Sequence, residues 1–508
     1  MIQHLIVLPV VLPLVAGILL LYQRQGLVHY KRAVSVIATL LLLLVSIALV
    51  RQAASGEITY YALGDWQPPF GVVLVLDRLS ALMVLLTSLL AVGAVVFACG
   101  GDDEKGSNFH GLFQWQLLGI NGAFLTGDLF NLFVFFEVLL LASYALLLHG
   151  AGSARVRSGL HYLLLNLTGS ALFLIAVGTL YGVTGTLNMA DMALRVRELD
   201  PADAPLVGAA GMLLLVVFGL KTAVFPLYFW LPRAYAAAGA PVAALFAIMT
   251  KVGLYSILRV YTLIFGADAG ALANMALSWL WPLALVTLLL GAIGALAAST
   301  LSSLTAYLVV VSVGTMLAGL AIGTAESLQA TLFYLMHSTW ITGALFLLTG
   351  ILQRVRGPRF SARLIAGPQL PHPMLLGGVF FLIAMSIVGL PPLSGFLGKL
   401  LLLGSAGQGV TAAWLYTLVL GSGLLGLVAL SRAGSTLFWR QSDQAATGEP
   451  VDGARMGAVL LLLAASPALV VMAGPLLSYL AQTAEQLLMP QLYIDAVLSL
   501  QPIAGGAQ

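Results

Sequence analysis

Residues 127–148 read GDLFNLFVFFEVLLLASYALLL, an apolar run with one carboxylate, Glu137, in its middle. At ~1.5 Å per residue from Asp128, Glu137 lies ~13 Å along the run, near the midplane of a ~30 Å hydrocarbon core. Facing lipid there would cost several kcal/mol, so the side chain is expected to face protein, water or a cationic partner. Outward from this stretch, Lys221, Lys251 and Lys399 are also stranded in apolar segments, and His337 sits midway along another. We read the five as stations on a proton path. The alternative, a fixed structural ion pair, suits one acid and one lysine better than five separate groups.

The composition of the 508 residues sets the class. They are 60% hydrophobic and 8% charged, where about a quarter charged is usual. That excludes a soluble globular protein and predicts an all-α polytopic membrane protein. At ~20 residues per span the length allows about fourteen transmembrane helices. The net charge of +3, without a basic run, gives no reason to expect nucleic acid. A single cysteine, Cys99, permits no internal disulfide and no cysteine-based metal site. No phosphate-binding glycine loop, dinucleotide fingerprint or Cys/His cluster occurs, so no cofactor and no metal is expected. The N-terminal MIQHLIVLPVVLPLVAGILLLY lacks a basic start and a small-residue cleavage site, and is expected to be retained as the first helix.

The apolar pattern places helices near 2–22, 33–50, 72–99, 110–125, 127–148, 159–182, 205–230, 241–266, 274–298, 302–323, 326–352, 374–403, 410–433 and 455–482. The tail from Glu485 to Leu500 alternates apolar and polar residues and is expected along the membrane surface. One set of alternate loops holds fourteen Lys and Arg, among them Arg24, Arg32, Lys105, Arg155, Arg354 and Arg455; the other holds three, Arg51, Arg195 and Arg197. The asymmetry puts the first set in the cytoplasm and both termini outside.

Two segments break the helical pattern. FGLKTAVFPLYFWLP (218–232) carries Pro226 five residues after Lys221, and SIVGLPPLSGFLGKL (386–400) carries Pro391 and Pro392 before Lys399. Proline removes a backbone donor and clashes with the preceding turn, so both helices should be interrupted. Broken helices in corresponding positions predict inverted repeats with ion sites at mid-depth. We place two five-helix repeats at 110–266 and 267–433, flanked by 1–109 and by a C-terminal helix and tail at 434–508. Proline kinks serving packing alone are the alternative.

Each ionisable group has a chemistry and a plainer reading. Burial disfavours an ammonium while a nearby carboxylate favours it. Lys221 beside Glu137 would then be a proton switch, which an arginine could not be; the plainer reading is a static pair. Lys251 lies ten residues past Pro241, ~15 Å deep, with Thr250 and Tyr255 placed to hydrogen-bond water beside it; snorkelling is the alternative. His337, in FYLMHSTW, suits a relay at similar depth, or is a packed core histidine. Lys399 could pass protons to one surface or to a neighbouring subunit, or reach for headgroups. Asp77-Arg78 reads as a local ion pair, Asp128 as an N-cap, and Arg259 as a vestibule charge or an anchor. His149 and His161 flank a loop, passing protons inward or simply solvated.

These residues resemble the proton-translocating membrane subunits shared by respiratory complex I and the multisubunit Mrp-type cation/proton antiporters. Residues 127–147 look most like the D subunits of Mrp (Pha) antiporters. FPLYFWLPRAYAAAGAPVAALFAIMTKVGLYSILRV (225–260) and GLPPLSGFLGKL (389–400) point the same way, and the likeness runs from Asp77 to Leu402. It implies fourteen helices with two inverted five-helix repeats, and Glu137, Lys221, Lys251 and Lys399 as the family's essential acid and lysines. The chain departs from the family pattern at Arg233, where an acidic or polar residue is common, and at Thr342, where many relatives carry lysine. His337 is thereby left as the titratable group of that helix. The resemblance implies proton conduction coupled to Na⁺ or K⁺ antiport, with other membrane subunits as partners, in a bacterial cytoplasmic membrane. A proton-pumping subunit of an NADH:quinone oxidoreductase or membrane-bound hydrogenase is the alternative; a self-sufficient transporter of an organic solute would need a cluster of substrate-binding polar groups, which the sequence lacks.

Overall fold

The computed structural model describes residues 3–22, 27–440, 442 and 448–498; Arg24 and the last two residues of the expected surface tail lie outside them. Helices α1 (Leu8–Tyr22) and α2 (Val28–Ala53) lead into a hairpin of β1 (Thr59–Ala62) and β2 (Val73–Leu76). The strands pair antiparallel with Tyr60 opposite Val75. Helix α3 therefore starts at Arg78 rather than at 72 (Arg78–Ala98). Asp77 fixes that start through a capping box: its carboxylate accepts from Ser80 N at 2.8 Å, and Ser80 Oγ accepts from Asp77 N at 2.9 Å.

Then come α4 (Phe109–Leu125), α5 (Leu129–Leu148), α6 (Ser153–Thr184) and a short α7 (Met189–Arg197). The start of α5 is clamped by backbone pairing: Gly127 N donates to Val73 O and Leu129 N to Leu187 O, both at 2.9 Å. Asp128 caps it by accepting from Asn131 N at 2.7 Å, as the sequence predicts.

The seventh span is interrupted as expected. Helix α8 (Ala204–Thr222) stops just past Lys221, Ala223 turns left-handed at φ +65°, and α9 begins at Trp230 (Trp230–Ala237). The end of a helix leaves carbonyls without partners; here Trp230 Nε1 donates to Leu220 O at 3.0 Å. Next are α10 (Ala240–Phe246), α11 (Met249–Leu263), α12 (Leu277–Ala297), α13 (Leu301–Ile322) and α14 (Ala325–Phe360). The twelfth span is likewise broken between α15 (Pro373–Val388) and α16 (Ser394–Gly404), with Gly389 left-handed at φ +88°. Helix α17 (Val410–Gly434) follows. The segment expected as one helix over 455–482 is two, α18 (Gly453–Val471) and α19 (Ala473–Leu488). In the described part of the tail, α20 (Pro490–Leu498) turns Tyr493, Ile494 and Val497 into the protein.

Eleven of the described helical stretches are long and apolar enough to cross a membrane, with α1, α15 and α16 as shorter apolar helices. The membrane-length windows of α14 and of α10–α11 are wholly enclosed, whereas only 33% of those of α2 and α17 is. Lys251 and His337 thus ride on the central helices.

Two helix pairs repeat one another at an offset of 172 positions. A Cβ on Gly119 would meet Leu139 N of α5 at 2.5 Å, and one on Gly291 would meet Val311 N of α13 at 2.8 Å. Gly122 lies under the Phe135 ring and Gly294 under that of Tyr307. Asp128 caps α5 and Thr300 caps α13 (128 to 300, 139 to 311). The glycines let α4 cross α5, and α12 cross α13, at backbone contact.

One end of the bundle is tied by charge. Arg32 and His110 hold Asp103 at 2.7 and 3.0 Å. Arg354 bridges Asp102 at 2.9 Å and Glu449 at 2.8 Å, and Lys105 adds a 2.6 Å contact to Asp102. Residues assigned to one surface by the alternation of charged loops therefore do meet at one end.

Candidate functional site

Glu137, Ser170 and Lys221 converge from three helices. Ser170 Oγ, on α6, donates to Glu137 Oε1 on α5. Lys221 Nζ, near the end of α8, lies 3.4 Å from the same Ser170 Oγ and donates to Asn166 O at 3.3 Å. The acid and the lysine are thus joined through a hydroxyl rather than in direct contact. Lys221 is buried, with its ammonium 5.9 Å from the centre of the Phe136 ring. Glu137 is only half-buried. One turn to either side on α5, Val134 and Leu141 are 38% and 63% exposed, which puts Glu137 at the edge of the outward face.

Lys251 is fully enclosed on α11, and its Nζ meets no hydrogen-bond partner among the described residues; nor does Thr250 Oγ1. Tyr255, expected beside it, is turned elsewhere: it donates to Phe124 O at 2.7 Å and accepts from Arg259 Nε at 3.2 Å. Three buried ammonium donors without an acceptor are costly, and such costs gather at functional positions.

His337 is buried on α14, its Nδ1 2.8 Å from Ser394 Oγ at the start of α16. Lys399, half-buried further along α16, folds back on the break: its Nζ donates to Val388 O at 2.6 Å and Ile387 O at 3.3 Å. An ammonium here does what the Trp230 indole does at the first break, satisfying carbonyls freed where the helix ends.

Pro226, Pro391 and Pro392 all fall within the interruptions, as the sequence predicts. Asp77-Arg78 is not a local pair. Asp77 instead bonds Arg259 at 2.6 Å, both buried, while Arg78 donates to Ala54 O at 2.9 Å and lies over the Tyr479 ring. Arg259 is therefore an anchor between α11 and the start of α3. His149 binds Asp102 O through Nε2 at 2.8 Å; burial and the nearby Arg155 charge lower its pKa. Its environment is the charge-tied end of the bundle rather than open solvent.

Sequence reasoning missed Ser170, Asn166, Ser386, Ser394 and Ser466. Their signal is faint: a serine or asparagine inside an apolar helix usually bonds its own backbone, and Asn166 O, 3.0 Å from Ser170 Oγ, is the alternative acceptor for the one Ser170 proton. The groups they serve are 33 to 80 positions away in sequence.

Buried and half-buried ionisable groups in a polytopic bundle, Lys221 and Lys399 of them at helix interruptions, define an ion-translocating membrane protein. Residues 126–426 match the NADH:quinone oxidoreductase/Mrp antiporter transmembrane family, and the chain belongs to it. It is 42% identical to a Rhizobium meliloti protein named as the D subunit of a probable K(+)/H(+) antiporter, across 99% of both chains. It is 39% identical to the D subunit of the Na(+)/H(+) antiporter of Bacillus subtilis, across 98% of this chain and 99% of that one. Its fold matches a chain in the structure of the Mrp complex from Dietzia sp. with a TM-score of 0.87 and 29% identity, over 98% of this chain and 99% of that one. A chain of the archaeal membrane-bound sulfane sulfur reductase matches with a TM-score of 0.86 at 25% identity, covering 97% and 99%.

Proposed function

We propose that this chain is the proton-translocating subunit of a hetero-oligomeric Na⁺ or K⁺/H⁺ antiporter in a bacterial cytoplasmic membrane. Protons move among Glu137, Lys221, Lys251, His337 and Lys399. The observation that carries this reading is the Glu137–Ser170–Lys221 bridge, in which one hydroxyl touches both a carboxylate and a buried lysine. A hydroxyl both donates and accepts, so it can pass a proton between them. The antiporter names of relatives aligned across their whole length favour the same function.

Counting α1, α4 and each of the pairs α8–α9, α10–α11, α15–α16 and α18–α19 as one crossing gives fourteen, in two inverted repeats at 110–266 and 267–433; an odd number of spans per repeat sets the second copy upside down. The 172-position offset favours this division. The excess of Lys and Arg at one surface puts that surface in the cytoplasm and both termini outside. Glu137, at the rim of α5, is placed to meet a neighbouring subunit. A second reading, a pump subunit in a redox-driven complex, is favoured by the fold shared with the sulfane sulfur reductase chain.

The test is cation-driven proton exchange in vesicles carrying the assembled complex, with the co-purifying chains identified. Antiporter subunits favour the first reading; quinone-reducing or iron–sulfur subunits favour the second. Glu137→Ala and Lys221→Ala should assemble yet lose exchange by about 100-fold or more. Wild-type rates in either would sink the relay.

A further inference from the structure

Three serines from three helices meet at the second helix break. Ser386 lies on the last turn of α15, just before the interruption, and Ser394 is the first residue of α16, just after it. Between them sits Ser466 of α18, its Oγ 2.7 Å from Ser386 Oγ and 2.8 Å from Ser394 Oγ, and accepting from Ser394 N at 3.3 Å. Ser386 and Ser394 are wholly buried and Ser466 nearly so. The backbones are forced close here: a Cβ on Gly395 would collide with Ser386 O and come within 3.0 Å of the His337 ring. The fourth member of the chain is His337 itself, through Nδ1 to Ser394 Oγ.

We propose that Ser466 is a positioning residue that staples the two halves of the second broken helix and makes the break, and with it Lys399, respond to the proton on His337 Nδ1. The inference rests on the reading of His337 and Lys399 as members of the proton path.

The hydrogen bookkeeping allows two arrangements. Each hydroxyl has one proton to donate and two lone pairs. With Nδ1 bare, Ser394 donates to His337, Ser466 donates to Ser394, and Ser386 donates to Ser466. With a proton on Nδ1, His337 donates to Ser394, Ser394 donates to Ser466, and Ser466 donates to Ser386. Every hydroxyl proton on the line between His337 and Ser386 reverses, and no heavy atom need move. In the second arrangement the Ser386 hydroxyl proton is released from the chain and turns to the carbonyls of its own helix, a contact that bends helices. The next two residues, Ile387 and Val388, supply the carbonyls that hold Lys399. The other cations whose fields reach His337 are Lys399 and Lys251, and its ring neighbour is Tyr334, 5.5 Å away on its own helix. Ser466 thus connects a helix outside the proposed repeats to the broken helix of the second one.

The test is amide hydrogen exchange on the purified complex, read at Gly389, Leu390 and Leu393, whose N–H groups close the break onto Met385 O and Leu390 O. Ser466→Ala should speed their exchange about fivefold, the worth of one neutral hydrogen bond, and Ser466→Thr, which keeps the hydroxyl, should restore it. His337→Gln should alter the same amides in the wild-type background and not in Ser466→Ala. Cation-driven exchange in vesicles should fall about five- to tenfold in Ser466→Ala, with the His337→Gln double variant no slower than the slower single one. Unchanged amides in Ser466→Ala, or transport losses that multiply in the double variant, would overturn the proposal. If His337→Gln transports at the wild-type rate while Ser466→Ala still loosens the break, the relay reading fails and the staple stands. Should Ser466→Ala not assemble, Ser386→Ala removes the staple from the other side and must give the same amide signature.

Discussion

Between Glu137 and Lys221 the chain places one small hydroxyl, and this arrangement makes Ser170 a sensitive probe. Ser170→Ala leaves the carboxylate and the ammonium in place and removes the atom both touch. Loss of a hydrogen bond to a charged group is worth about 1.5–3 kcal/mol, so exchange in vesicles should slow about tenfold or more, with Ser170→Thr close to wild type. A rate unchanged in Ser170→Ala would mean that the proton travels between Glu137 and Lys221 without it. Lys399 offers the complementary test, because its ammonium is held by two backbone carbonyls. Arginine keeps the charge and the donors but does not release a proton at physiological pH. Lys399→Arg should assemble, as checked on a native gel, and fail to transport, much as Lys399→Ala does. Wild-type exchange in Lys399→Arg would reduce Lys399 to a fixed field. The titratable side chains at this scale were legible because charge is conspicuous in an apolar sequence. The serines were not, since a hydroxyl in a helix has a local partner by default and nothing in its spacing reveals a distant one.

The two broken helices obey one rule with different residues. Each leaves its first half through a left-handed residue, Ala223 in one and Gly389 in the other. For alanine that conformation costs about 1–2 kcal/mol. Ala223 is fully buried, however, and deleting its methyl would cost about 0.8 kcal/mol. Ala223→Gly should therefore leave the melting temperature of the purified complex nearly unchanged. Gly389→Ala has no such offset: it gains the strain, and its Cβ would press on Lys399 Cδ at 3.0 Å and Gly395 O at 3.2 Å. It should lower stability by about 1–2 kcal/mol and slow exchange through displaced Lys399; a fully active Gly389→Ala would show that the break tolerates a different exit. The prolines made both interruptions readable from sequence, because a missing N–H weakens a helix there, although Pro13, Pro282 and Pro467 sit within continuous helices. The β1–β2 hairpin was hidden, since Val73–Leu76 is as apolar as the helix it precedes and only the Asp77 cap separates them. The split at Met472 was readable and passed over: Gly474 and Pro475 stand in the first turn of the second helix, where a proline fits a helix start better than a helix interior.

At the scale of the whole molecule, ion pairs distant in sequence close the bundle at its ends. Asp77 and Arg259 join α3 to α11, and Arg354 joins the end of α14 to Asp102 and Glu449. Pattern reasoning reaches residues one or two turns apart, which is why Asp77 was assigned to its neighbour Arg78 instead. Asp103 gives this end an acid sensitivity. Burial opposes its charge, but hydrogen bonds from His110 and Arg32 outweigh burial and hold the carboxyl well below the usual range. A depressed carboxyl contributes stability above its unfolded pKa, about 3.9, and loses it as pH falls toward the folded value. Heat stability of the purified complex should thus fall below about pH 4. Asp103→Asn should be less stable at neutral pH and show less of that acid loss; an identical acid limb in Asp103→Asn would place the sensitivity elsewhere.

The offset of 172 positions has a meaning for inheritance. The joinery of the two helix pairs recurs, glycine for glycine and a side-chain cap for a side-chain cap, while the chemistry hung on it differs: Glu137 falls opposite Val309, and Ser170 opposite Thr342. A shared frame with different side chains means that each helix pair carries its own control. Any property that depends on the carboxylate must differ between two places that the same backbone builds twice.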